Sequence, residues 1–158
     1  MLYNYIKNDY QKNQPIKGYQ ENESRKEDLM DIRYEVVTNL SKMEVRSKLE
    51  ASLKEEGFGI LWELNMKDKL QEKGIEFDRD FIVLEVCNPV AAKKVLDIDI
   101  SAGYFLPCKM AIYEEKGNWV LGLIKPTDLI ALQENPALIP LAKEVEEALI
   151  LAISNVVK

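Results

Sequence analysis

The sequence contains no histidine. That excludes Ser-His-Asp and Cys-His catalysis and any histidine metal site, so acid-base work would fall to carboxylates, lysine, tyrosine or a thiolate. Cysteine is scarce too. Cys87 and Cys108 are the only two, which makes no disulfide framework and fits a reducing compartment. No stretch approaches the roughly 20 apolar residues of a membrane span. The opening MLYNYIKNDYQKNQP has neither the basic start nor the apolar core of a secretory signal. An excess of basic charge is also missing. Lys and Arg total 21 against 27 Asp and Glu, a net charge of −6, where a nucleic-acid binder needs a basic face to meet phosphate. The expectation is a cytoplasmic protein with neither nucleic acid nor membrane as a partner.

What is present is enough for one core. The chain has 158 residues, 47% hydrophobic and 30% charged, ordinary values for a single globular domain. Residues 1–30 differ from the rest: they are rich in Asn, Gln, Lys and Glu, and carry Tyr3, Tyr5, Tyr10 and Tyr19 without a sustained apolar period. They read as a polar N-terminal extension, in part disordered, or as an arm that packs tyrosines onto a partner subunit. Residues 31–158 read as a single α+β domain.

From residue 32 the pattern is regular. IRYEVVTN alternates and is β-branched, which predicts a strand. In SKMEVRSKLEASLKEEG, Ser41 and Glu44 make a capping box, Val45, Leu49 and Leu53 share a helical face, and Gly57 supplies the stop. FGILWELN predicts a second strand with Ile60, Trp62 and Leu64 on one side against Leu61 and Glu63, and Met66–Lys73 a short helix ended by Gly74. DFIVLEVC is almost wholly apolar, as expected of a mid-sheet strand buried on both faces. NPVAAKKVLD predicts a helix capped by Asn88 with Pro89 at its first position. After a loop at 98–105, PCKMAIYEE and NWVLGLIKP form a hairpin about KGN. A helix start at Thr127 and a long helix from Asn135 complete the chain, with Leu138, Leu141, Val145, Leu149, Ala152 and Val156 on one face. The fold expected is an α+β two-layer sandwich: a mixed parallel and antiparallel sheet, helices mainly on one face, strand-helix alternation closed by a β-hairpin and a long C-terminal helix.

Chemistry concentrates at the cysteines. Cys87 stands where a strand meets a helix N-terminus, whose unpaired N–H groups and dipole stabilise a thiolate. Burial in the apolar strand acts the other way. Cys108 follows Pro107 at the start of a strand. A parallel crossover would set the two thiols at opposite strand ends, whereas the 98–105 loop is long enough to bring them together. Three uses are open: a reversible disulfide, a soft-metal site for copper(I) or zinc, and a nucleophilic thiolate at Cys87. Against all three stands plain burial, since free cysteine is among the most buried residue types. Asn88 and Pro89 need no chemistry, because ENP at 134–136 begins a helix with the same pair. Lys69 and Lys109 lie near in sequence and could stabilise a thiolate or bind an anion. The acidic pairs in DRD at 78–80 and DID at 97–99 read as solvated loops, and GFG at 57–59 as a helix stop followed by a strand.

The order GFGILWELN, CNPVAAKKVL, LPCKMAIYEE, WVLGLIKP resembles the bacterial and archaeal family catalogued as domain of unknown function 302, over about residues 34–156. Pro126 matches the proline that the family places after its last strand. The resemblance implies a small α+β domain of the kind typified by a Thermus protein, and a homodimer. It implies no catalytic role, because the family's activity is not established. Positionally, Cys87, Asn88, Pro89, Pro107 and Cys108 occupy the family signature, while Asn65 stands where relatives often carry Asp. The functional expectation is a homodimeric sensory or binding domain for a small ligand or soft metal, with these residues as its site. The alternatives are a thiol-dependent redox or sulfur-handling enzyme using Cys87, and a structural interaction domain with core cysteines.

Overall fold

The computed structural model describes residues 32–158, so the expectations for residues 1–30 lie outside the described residues. In chain order the elements are β1 (Arg33–Thr38), α1 (Lys42–Glu55), β2 (Gly59–Asn65), α2 (Met66–Gln71), β3 (Phe81–Cys87) and α3 (Pro89–Ile98). A 3-10 segment (Ile100–Phe105) leads to β4 (Cys108–Glu115) and β5 (Asn118–Ile124), then α4 (Pro126–Ala131), a 3-10 turn (Pro136–Leu138) and α5 (Ile139–Val156).

Local chemistry sets these boundaries. Ser41 and Glu44 close the capping box at the start of α1, and Gly57 turns the chain out of it at φ +79°, a conformation that costs glycine nothing. Asn65 Oδ1 accepts from the Lys67 amide and caps α2. The β4–β5 turn runs through Lys116 at φ +52° and Gly117 at φ +80°, the backbone of a tight hairpin turn with two positive φ angles.

The five strands form one sheet in the order β1-β5-β4-β3-β2. Every neighbouring pair is antiparallel, which corrects the mixed sheet expected from strand-helix alternation. The reason lies in the connections. A lone crossover helix would return the chain to the opposite end of the sheet and make a parallel pair. Here the 3-10 segment packs back against α3, so β4 starts beside the place where β3 stops. The α+β class and the two layers stand as expected.

Helices α1 and α5 pack on each other and cover one sheet face. Val45, Leu49 and Leu53 of α1 meet Leu84, Met110, Ile112 and Leu121 of the sheet, with Leu149 and Ile153 of α5 closing the core. Each such buried side chain contributes about 1.5–3 kcal/mol. A smaller cluster, Val95, Ala102, Ile130, Leu138 and Ala142, holds α3, the 3-10 segments, α4 and α5 together.

Two strand expectations change. Among the described residues β3 is not buried on both faces: Ile82, Leu84 and Val86 are buried, while Phe81, Val83 and Glu85 alternate with them, half-buried on the face away from α1 and α5. It also lies beside the edge strand, and β4 is the middle one. β2 carries a bulge between Ile60 and Trp62. The extra residue shifts the alternation, so Ile60 and Glu63 share the core side while Trp62 and Leu64 point to the other. Arg46 of α1 then reaches Glu63 at 2.8 Å. The C-terminal run begins not as a helix but as the 3-10 turn Pro136–Leu138, with α5 following. No helix among the described residues is long and apolar enough to cross a membrane.

Candidate functional site

Antiparallel pairing decides where the cysteines go. The last residues of β3 face the first of β4, with Val86 directly opposite Cys108, so Cys87 and Cys108 meet at one end of the sheet. Asn88 follows and caps α3, its Oδ1 accepting from the amides of Val90 and Ala91 at 3.0 and 3.1 Å. Pro89 is the first residue of α3. Pro107, after a cis peptide bond from Leu106, leads into Cys108. Gly57 also belongs here: a Cβ on it would stand 3.1 Å from Asn88 Nδ2, so the end of α1 closes over the start of α3.

Both cysteines are free thiols. Burial pushes the Cys87 thiol above its usual range. For Cys108, burial comes first and the neighbouring Cys87 second, and together they raise it to about 11. The helix N-terminus at Asn88 spends its first amides on the Asn88 side chain, so its capacity to favour an anion is partly used. Desolvation therefore outweighs the dipole, and both groups are thiols at neutral pH. Among the described residues no group of three or more Cys, His, Asp or Glu side chains could hold a metal ion.

Around the cysteines the surroundings are apolar. Cys87 and Cys108 share a gap of about 20 Å³ with Phe58, Val86, Ala91 and Val95. On its other side Cys108 borders a larger cavity of about 40 Å³, lined by Phe105, Leu106, Leu129, Ala142 and Val145. Lys109 and Ile124 also line this cavity.

The same two residues line a second, open space. The sheet face away from α1 and α5 bears a groove of about 290 Å³. Register explains its shape. Glu35, Gly122, Ala111 and Val83 stand in one row across the sheet, and the two small residues make the floor. On one side the rings of Phe81 and Tyr113 stack with centroids 5.3 Å apart. On the other side stand Arg33, Ile124 and Lys109. A Cβ on Gly122 would lie 2.7 Å from Glu35 Cγ and 3.0 Å from the Tyr34 carbonyl oxygen, so only glycine lets Glu35 lie across the floor. Tyr113 donates its hydroxyl to Glu35 Oε1 at 3.0 Å. Arg33 reaches Glu35 at 3.5 Å, and Lys109 reaches Glu85 at 3.7 Å.

Sequence reasoning passed over this groove, because its residues are scattered over four strands and join only through register. The period-two signal of each strand was readable, but the strand order was not. Asp99 of DID is not a merely solvated loop carboxylate. It accepts from the Ser101 amide at 2.9 Å and hydroxyl at 2.6 Å, and from Gln133 and Asn135, each at 3.3 Å. Led by the Ser101 hydroxyl and then Gln133, these donors hold its carboxyl down to about 2. Lys69 of α2 is elsewhere, paired with Glu72 just after that helix, and Asp80 of DRD pairs with Lys42 at 3.1 Å.

The family model described as "Domain of unknown function DUF302" matches residues 34–156. A solved structure titled as an uncharacterized conserved DUF302 protein from Bacillus stearothermophilus superposes with a TM-score of 0.77 at 40% sequence identity, covering 80% of this chain and 98% of that one. No curated protein matches the chain.

Proposed function

The chain belongs to the DUF302 family of domains of unknown function, and we propose that it is a non-catalytic binding domain for a small ligand, with the Cys108 cavity as its site. One observation carries the reading. The Cys108 thiol lines an apolar cavity of about 40 Å³, and burial pushes its pKa to about 11. A thiol in that setting stays protonated and acts as a small polarizable wall, whereas a nucleophilic cysteine needs a lowered pKa. The donor set speaks for a small molecule over a soft metal, since two protonated thiols are joined by no cluster of further ligand side chains among the described residues. The cavity is about a quarter of the ~150 Å³ apolar space that admits benzene, so its occupant there is a short aliphatic group.

Two measurements test this. Native thiol labelling at pH 7 is expected to be far slower than labelling of the unfolded chain at both positions. A Cys87 that reacted faster than a free peptide thiol would return the thiol-enzyme reading. Xenon, which enters dry apolar cavities, should shift the methyl resonances of Leu129 and Val145. Unmoved methyls would remove the cavity as a binding site.

A further inference from the structure

The cavity beside Cys108 and the groove on the sheet face away from α1 and α5 are adjacent. Lys109 and Ile124 line both. One step beyond the Met110–Leu123 pair of the β4–β5 ladder, these two residues face each other at the sheet end where β4 begins and β5 leaves. They are therefore the partition between the cavity of about 40 Å³ and the groove of about 290 Å³, both lined mostly by apolar surface, and the Lys109 ammonium stands at that partition.

From this juxtaposition we infer that the ligand is a small amphiphilic carboxylate. Its short aliphatic end enters the cavity between Ile124, Leu129 and Ala142, and its anionic head remains in the groove on the Lys109 ammonium. The inference rests on the binding reading given above and adds the chemical class of the ligand.

Three features support the assignment. A long amphipathic side chain lays its methylenes along apolar surface and keeps its charge in water, which is how Lys109 can border both spaces. Its present partner is weakly held: Glu85 lies 3.7 Å away, with the lysine side chain 53% exposed, and exposed pairs of this kind contribute little. A ligand carboxylate can replace Glu85 at small cost and gain a charge-assisted hydrogen bond. The carboxylate that lines the groove, Glu35, is engaged by the Tyr113 hydroxyl across the floor, one row away from the partition.

The volume sets the other half of the specificity. About 40 Å³, set against the ~150 Å³ that admits the six carbons of benzene, accepts one or two carbons at the end of the tail and stops there, so binding should strengthen with the tail until that end is seated and then weaken.

The test uses the full chain with isovalerate, 3-methylbutan-1-ol and the linear acids from acetate to octanoate, followed by calorimetry and by the methyl resonances of Leu129 and Val145. Isovalerate is expected to bind at least about tenfold tighter than the alcohol, with methyl shifts at the cavity and an optimum of intermediate length in the linear series. Lys109→Met should abolish the preference for acid over alcohol, and Glu85→Gln should strengthen acid binding by removing the competitor for Lys109. Neither side chain belongs to the hydrophobic core clusters, so both substitutions leave the core untouched. Equal affinity for acid and alcohol would overturn the carboxylate assignment while the cavity reading stands. Acid binding that ignores tail length and leaves the cavity methyls unmoved would overturn the two-part site. If xenon enters but neither acid nor alcohol binds, the ligand class is wrong and the cavity reading survives. If xenon also fails, the cavity reading falls and the inference with it.

Discussion

Tyr113 and Glu35 are hydrogen-bonded at 3.0 Å although their strands, β4 and β1, are not neighbours. The bond passes over β5, and it exists because Gly122 presents no side chain between them. A glycine inside a strand ordinarily weakens it. Here the close approach of another side chain repays that weakness and also shapes the groove floor.

Gly122→Ala is therefore expected to destabilise the chain by about 1–3 kcal/mol, the usual cost of overpacking. The added Cβ would meet Glu35 Cγ at 2.7 Å and the Tyr34 carbonyl oxygen at 3.0 Å. The first contact can be relieved, the second cannot without moving backbone. Denaturant unfolding of Gly122→Ala, Glu35→Ala and the double variant makes a cycle. The double variant should be more stable than the sum of the single effects predicts. Strict additivity would show that the Glu35 side chain does not occupy the floor.

Asn88→Ala should cost about 1 kcal/mol, the range for a lost N-cap, and Asn88→Asp much less. The carboxylate can accept from the amides of Val90 and Ala91 as Asn88 Oδ1 does at 3.0 and 3.1 Å, and it suits the positive end of the α3 dipole. Thermal unfolding of the three chains checks the order. If Asn88→Asp destabilised as much as Asn88→Ala, the side chain would matter through the amide group it packs near Gly57 more than through capping.

How far these features were legible in the sequence depends on their range. Caps and turns are local, so Ser41 with Glu44, Asn88 with Pro89 and the Lys116–Gly117 turn could be read from a few residues. The α+β class follows from period alone. Strand direction does not: it turns on whether the residues after α3 pack back along that helix, and the short, glycine-bearing stretch ISAGYF gives no periodic signal for that. The bulge at Ile60–Trp62 escaped for a related reason, because GILWEL satisfies an alternating pattern in either register. The cysteines were found as a pair, yet their nearness waited on the antiparallel β3–β4 ladder, and their protonation waited on burial. Lys109 was noted as a possible anion binder from its place beside Cys108; only the sheet end shows that it borders two spaces.

Acid should loosen the tie between the 3-10 segment and the α4–α5 connection. Asp99 joins Ser101 to Gln133 and Asn135. Its carboxyl is held down to about 2 from an ordinary 3.8, chiefly by the Ser101 hydroxyl. A depressed folded pKa means that the contribution is complete above the unfolded value and disappears as pH falls through the folded one. Stability should thus decline between about pH 4 and pH 2 by more in the native chain than in Asp99→Asn. Hydrogen exchange at Ala102 and Leu106, whose amides donate to Asp99 and Gly103 carbonyls, would report the same loosening locally. Identical acid profiles for the two chains would remove Asp99 from the tie.

Alkali should weaken the fold through the half-buried thiols, in a window set by Cys108. Its ordinary value of 9.0 is raised to about 11, first by burial and then by Cys87, and burial raises Cys87 in the same direction. Between those values the unfolded chain releases a proton that the folded chain retains. The unfolded state is therefore favoured as pH rises, and the contribution is complete only below the unfolded value. Unfolding free energy is expected to fall from about pH 9 to pH 11 more steeply in the native chain than in Cys108→Ala, whose lower stability from the enlarged cavity is an offset without that slope. Tyr113 titrates in a neighbouring range, raised by burial and then by its bond to Glu35, so both chains are best compared on a Tyr113→Phe background. Parallel slopes there would mean that Cys108 reaches solvent as a thiolate, and the inert apolar wall proposed for the cavity would be lost with it.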